Sequence, residues 1–312
     1  PVLVSGLSAL PIRPANITPL SIFQNKTLRG FLKLSNTSPV PALYFLLGEL
    51  PAEAIIHINT LATFHNIWSN PDTTVFKMVM YILKMCSSNS TTWSNHLQIL
   101  CMKYSLPSPL SLLQSAPWSK ESWTCLVRTK VTIWYENDLR RQSQRNSKMN
   151  YLNVQLSGLS GAPHPALRDI NTTQDVKKLR LHLKFLTCDF LTNERLSLDQ
   201  PSLSPACRLC QAPVDSIEHV LAVCRATNDV RSRLLPDLLN TVANVQPTCS
   251  LLLNTTSEDI LTQFILDCSS LNLPDSFRIP AHNPAISAVF KISRDFCFSM
   301  SNERSRLLKL VN

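Results

Sequence analysis

The sequence predicts a mainly α protein: helical bundle segments with a small Cys-Cys-His-Cys zinc knuckle. Three observations predict it. Glycine is scarce, 5 in 312 residues, while proline is plentiful at 21. Hairpin turns and phosphate-cradling loops depend on glycine, so a strand-rich or doubly wound fold is disfavoured. Proline suits first helical turns and the joints between helices. Apolar residues also recur at helical spacing along much of the chain. Finally, the stretch from Cys207 to Cys224 gathers three cysteines and a histidine in eighteen residues.

Taken in order, residues 1–40 form an N-terminal segment, 41–150 a helical domain, 151–200 a loop and a basic helix, 201–235 the knuckle, and 236–312 a C-terminal helical segment. In the helical domain Asn70 can cap and Pro71 can take the first helical position. Val75, Val79, Leu83 and Cys86 then share an apolar face. Trp93, Leu97, Leu100 and Tyr104 repeat that pattern, and Ser108-Pro109 opens a short helix through Leu113. From Ser119 to Leu152 the pattern is that of one long helix, with Trp123, Val127, Val131 and Trp134 facing inward. Arg140, Arg141, Arg145 and Lys148 crowd its C-terminal half, where cations suit the helix dipole.

Residues 156–173 have loop composition. The capping pattern Thr172-x-x-Asp175 then opens a basic helix. Val176, Leu179, Leu183 and Leu186 make its buried face, while Lys177, Arg180 and Lys184 align in a cationic stripe with Lys178 beside it. A Pro/Ser-rich linker, residues 197–206, leads into the cysteine cluster. Three amphipathic helices follow it, over residues 229–242, 256–268 and 285–300.

Charge is concentrated. Formal net charge is +9, and residues 128–184 hold eleven Lys/Arg against four Asp/Glu, a net +7. Clustered positive charge is the footprint of a polyanionic partner, although a solvated helix face gives the same count. No run of eighteen apolar residues marks a transmembrane helix. The apolar start, with Pro1 first and no basic stretch before it, reads as an internal segment rather than a signal peptide. Seven cysteines (Cys86, Cys101, Cys125, Cys188, Cys249, Cys268 and Cys297) are scattered in apolar surroundings, which favours reduced thiols over a disulfide framework.

The cluster has the spacing Cys207-x2-Cys210-x8-His219-x4-Cys224. Two cysteines separated by two residues can place both sulfurs on one ion through a tight knuckle. The next eight residues allow a turn through Pro213 and Asp215 before the chain returns. His219 would sit on a short helix over Ile217, Val220 and Leu221, and that helix must end or bend to return the Cys224 sulfur. Three thiolates and one imidazole make the closed tetrahedron of structural Zn²⁺, with no open position for catalysis. His57, His65, His96 and His182 lack such company and read as ordinary helix residues.

This spacing resembles the zinc knuckle downstream of the reverse transcriptase in non-LTR (LINE-type) retrotransposons. The flanks are similar too. "SIEHVLAVCRATNDVRSRL" resembles the family's T-x-E-H-x-L-x-x-C, with Ser216 at the Thr position and Glu218, His219, Leu221 and Cys224 in place. "RLHLKFLTCDF" resembles the basic helix before the knuckle, with Cys188 and Asp189 where Gly and His are usual. "PVLVSGLSALPI" and the following "NKTLRGFLKLSNTSPVPALYFLLGELPAEAIIHI" resemble the thumb-side segment of the Jockey-like group, which makes residues 1–40 thumb-side.

The resemblance implies a gripping part of a reverse transcriptase, working with the rest of that polypeptide on element RNA and target DNA, inside the cell, in the nucleus or cytoplasm. Its own residues would not be catalytic. The chain has no Asp-Asp pair, and two-metal polymerase chemistry needs paired carboxylates. HExxH and GxSxG are absent, and after Cys224 no Asp or Glu is followed two residues later by Lys. The metal ligands would be Cys207, Cys210, His219 and Cys224, holding structural zinc. Phosphate contacts are expected from Lys177, Lys178, Arg180, Lys184, Arg225, Arg231, Arg233, Arg140 and Arg141. Trp134, Tyr135 and Tyr151 are candidates for base stacking. The alternative is a helical protein-interaction module stabilised by structural zinc.

Overall fold

The computed structural model describes residues 9, 14–85, 92–154, 158–159, 161–253, 257–270, 273–280 and 282–311. Cys86 and, of the segment 1–40 that resembles a thumb-side element, residues 1–8 and 10–13 lie outside the described residues. Within them the protein is helical, with no strand. The helices are α1 (Pro14–Leu32), α2 (Val40–Leu47), α3 (Ala52–Trp68), α4 (Thr74–Met85), α5 (Trp93–Lys103), α6 (Pro109–Leu113), α7 (Lys120–Gln144), α8 (Thr173–Leu186), α9 (Asn193–Asp199), α10 (Asn228–Ala243), α11 (Glu258–Leu266) and α12 (Ile286–Val311). No single described helix is long and apolar enough to cross a membrane. The chain divides into two compact units, residues 1–27 with 49–141, and residues 28–48 with 142–312.

The first unit has an aromatic core. Trp68 and Trp123 meet edge-on with ring centroids 5.8 Å apart, and Phe64 packs beside both. Each buried indole finds an acceptor, as it must: Trp123 Nε1 donates to the Leu61 carbonyl at 2.9 Å and Trp68 Nε1 to that of Ser115 at 3.0 Å. Ser108 caps α6 with Pro109 behind it, as its sequence predicts.

Three details differ from expectation. The turn at Asn70-Pro71 does not start α4. Asn70 Nδ2 donates back to the Asn66 carbonyl at the end of α3, and Thr73 Oγ1 instead accepts from Phe76 N. Val75, in the first turn of α4, is 53% exposed while Val79 and Leu83 are buried. On α7 the inward stripe runs Trp123, Val127, Val131, Tyr135, Leu139 in steps of four, so Tyr135 and not Trp134 carries it on. Trp134 is half-buried, with the Lys103 ammonium 3.9 Å from its ring centroid. α7 also ends at Gln144, short of Leu152, and Asn146 caps a separate 3₁₀ turn, Ser147–Met149.

In the second unit α8, α10 and α11 pack against α12. Ile286, Val289, Phe290, Phe296, Cys297 and Met300 supply the apolar face of α12. α8 opens with the Thr172/Asp175 capping box. Its C-terminal half is the buried part: Leu183, Phe185 and Leu186 are out of water, whereas Val176 and Leu179 are half-buried. α2 ends at Gly48 in the left-handed region (φ 68), and a Cβ there would run into the Ala162 backbone. α9, capped by Thr192, continues to Asp199 and so takes in the first residues of the stretch 197–206 that composition marks as a linker.

Candidate metal centre

The four side chains singled out by spacing converge. The ligand atoms of Cys207, Cys210, His219 and Cys224 all lie within 4.8 Å of one another, so the group can hold a metal ion. Cys207 Sγ is 3.9 Å from Cys224 Sγ, Cys224 Sγ is 3.8 Å from Cys210 Sγ, and Cys210 Sγ is 3.2 Å from His219 Nε2. A disulfide needs about 2.05 Å between sulfurs, so these thiols are not bonded to each other. A tetrahedron with Zn–S bonds of about 2.3 Å has S–S edges of about 3.8 Å. The donor set and its spacing therefore fit a closed, tetrahedral, thiolate-rich site.

Local backbone geometry brings the sulfurs round. Between the first two ligands and the rest, Gln211 adopts φ 62, Gln211 N donates to the Cys207 carbonyl, and Cys207 N donates to that of Ala212, both at 2.9 Å. This is the tight knuckle that the C-x2-C spacing requires. The return is made by a π-turn over His219–Val223, closed by Cys224 N donating to the His219 carbonyl at 2.7 Å. An α-helix would carry Cys224, five residues on, away from His219, and the wider turn resolves that conflict. Ile217, Val220 and Leu221 are buried beneath it, as expected. Ser216 Oγ accepts from His219 N at 3.1 Å.

Electrostatics favour a cation. Burial pushes the Cys210 thiol up, but N–H bonds from Ala212 and Arg225 and the neighbouring cysteine sulfurs bring it below its ordinary value. Burial, opposed by the N–H of Ala226 and helped by the nearby Cys207 and Cys210 sulfurs, raises Cys224 to about 11. Thiolates crowded this closely oppose one another, and a divalent ion removes the opposition. Burial lowers His219, so its imidazole stays neutral, as a ligand must.

Around the ligands lies a set of polar residues that spacing did not announce. Asp215, expected in a turn, is fully buried. Its Oδ2 accepts from Asn193 N at 2.8 Å, at the start of α9, and from Arg304 Nη2 at 2.5 Å. Arg304 Nη1 lies 4.0 Å from Cys207 Sγ, so α12 reaches the centre directly. Tyr151 OH donates to Glu218 Oε1, tying the residue beside His219 to the chain after α7. A cation buried beside a thiolate has no periodic signature, so no sequence signal marked Arg304.

The expected phosphate contacts fare differently from one another. Lys177 and Lys184 are exposed on α8 and Arg180 is half-buried between them. Lys178 is held by Asp295 at 2.8 Å. Arg225 and Arg233 are exposed. Arg231 is buried, and its Nη2 donates to the Cys224 carbonyl at 2.8 Å. It serves the knuckle's main chain and has no face for a phosphate. Arg140 and Arg141, in the first unit, pair with Glu136 and Asp138 at 3.6 and 3.3 Å. Tyr135 and Tyr151 are buried, which removes both from base stacking.

The fold and the site define a class: an all-helical protein, within the described residues, with an embedded Cys-Cys-His-Cys metal-binding group. Comparison with family models, with curated proteins and with solved structures finds no match for this chain.

Proposed function

We propose that this chain is the non-catalytic, nucleic-acid-gripping C-terminal part of a LINE-type reverse transcriptase, with zinc as the structural ion of its knuckle. The observation that carries the reading is the convergence of Cys207, Cys210, His219 and Cys224, with sulfur–sulfur separations of 3.9 and 3.8 Å that match the edges of a zinc tetrahedron. When bound, zinc would fix the turn and the return of this stretch and leave no open coordination position. Arg225, whose backbone N–H bonds Cys210, would then be presented directly beside the fixed centre. Lys177 and Lys184 add exposed charge on α8, and such charge binds polyanions by releasing counterions.

The partners in this reading are element RNA, target DNA and the rest of the reverse transcriptase polypeptide, within the nucleus or cytoplasm. The test is binding of a single-stranded RNA and a DNA duplex to the zinc-loaded chain across a salt series. Affinity that falls steeply with salt supports the reading. No binding at low salt would sink it.

One observation favours the alternative, a zinc-stabilised protein-interaction module. Val75, Met78, Tyr81 and Met85 lie on one side of α4 and are each more than half exposed, at 53, 58, 64 and 68%. An apolar helix face of that kind fits a protein partner. Absence of nucleic-acid binding would make that reading the better one.

A further inference from the structure

Arg231 sits in the first turns of α10 and is 7% exposed. Its Nη2 donates to the Cys224 carbonyl at 2.8 Å and to Asn228 Oδ1 at 3.2 Å. Its Nη1 is buried and has no hydrogen-bond partner among the described residues. Burial lowers the pKa of this guanidinium, and the charged neighbour that opposes burial is the Cys224 sulfur. Arg304, the other buried cation at the centre, has Asp215 at 2.5 Å. Among the described residues no carboxylate pairs with Arg231, and Glu258, the further acid near His219, acts from an exposed position.

A buried cation without an anion is strongly unfavourable, so the compensating charge must be local. The ligands themselves can supply it. A divalent ion on three thiolates and a neutral imidazole carries a net charge of −1, because cysteine binds metal only as thiolate. Arg304 and Asp215 cancel each other. We propose that Arg231 is the counter-charge of the metal-loaded centre: a positioning residue that neutralises the net −1 and holds the Cys224 main chain where the π-turn ends. This inference rests on the zinc reading above. It gives Arg231 a role in selecting a three-thiolate divalent centre over a two-thiolate, two-imidazole one, whose net charge is zero.

The test is zinc affinity of the full chain, measured by competition with a chromophoric chelator, for the natural protein, Arg231→Lys and Arg231→Gln. Cobalt spectra report whether the thiolate ligand set survives each change. Gln keeps a donor for the Cys224 carbonyl and loses the charge, whereas Lys keeps the charge. Arg231→Gln should weaken zinc by about 10- to 100-fold, the usual cost of losing a partner behind the ligands, with Arg231→Lys close to the natural protein. In a Cys210→His background, where the loaded centre is neutral, Arg231→Gln should cost little. Zinc affinity unchanged in Arg231→Gln, or an equal loss in both backgrounds, overturns the proposal. If Cys210→His does not hold cobalt, the Lys-against-Gln comparison decides alone, and Lys as weak as Gln refutes it. A natural chain that takes up no zinc refutes the metal reading itself, whereas zinc uptake with an indifferent Arg231 refutes only this inference.

Discussion

Arg304 of α12 bonds Asp215 of the knuckle at 2.5 Å, and both side chains are out of water, at 6 and 0% exposure. Asp215 also accepts from Asn193 N, so one carboxylate joins the start of α9 to the C-terminal helix. Removing one member of such a pair leaves the other charged and buried, at a cost of about 3–5 kcal/mol. Arg304→Met and Asp215→Leu should each lower unfolding free energy by about that amount, measured by urea denaturation with metal present. The double substitution should cost well below the sum, because it leaves no unpaired charge. Full additivity would show that the two residues do not act as a pair.

Two buried histidines set a pH dependence. Burial, then Lys103 and His96, hold His57 down at about 3. Burial and the Arg294 guanidinium hold His182 at about 3, with the Leu266 carbonyl opposing. Both fold neutral but take a proton when unfolded, below about pH 6.5. The unfolded state therefore binds more protons between about pH 3 and 6.5, and stability falls as pH drops through that window. His57→Gln removes one such site from the unit without the metal ligands. It should flatten the slope of unfolding free energy against pH by about 1.4 kcal/mol per pH unit between pH 6 and 4. An unchanged slope would mean that His57 is protonated in the folded chain.

The cations of α8 should differ in what they do. Lys177 and Lys184 are exposed, while Lys178 is held 2.8 Å from Asp295. If the helix follows a phosphate backbone, Lys177→Glu, Arg180→Glu and Lys184→Glu together should reduce the slope of log affinity against log salt by about 2–3, close to one unit per lost contact. Lys178→Gln should leave the slope nearly unchanged. Equal effects from Lys177→Gln and Lys178→Gln would remove α8 from the interface.

Much of this was legible in the sequence. Helical periodicity and the glycine-poor composition specified the class, and ligand spacing specified the four atoms that converge. What escaped had physical reasons. Steps of three and four both satisfy a 3.6-residue period, so Trp134 and Tyr135 could not be separated by spacing. Asn70 and Thr73 are both good caps, and the choice between them depends on where α3 ends. Asp215, Arg231 and Arg304 are charged residues that normally face water. Their burial follows from the knuckle and α12 packing together, a relation between residues as far apart as 215 and 304 that no local pattern encodes.

The proposed reading has Cys207, Cys210, His219 and Cys224 hold one zinc ion that shapes the knuckle. It is tested most directly by the zinc content of the purified chain beside Cys207→Ser and His219→Ala. One equivalent of zinc in the natural chain, lost in both variants, is the predicted result. Equal zinc content in all three, or none in the natural chain, would contradict it.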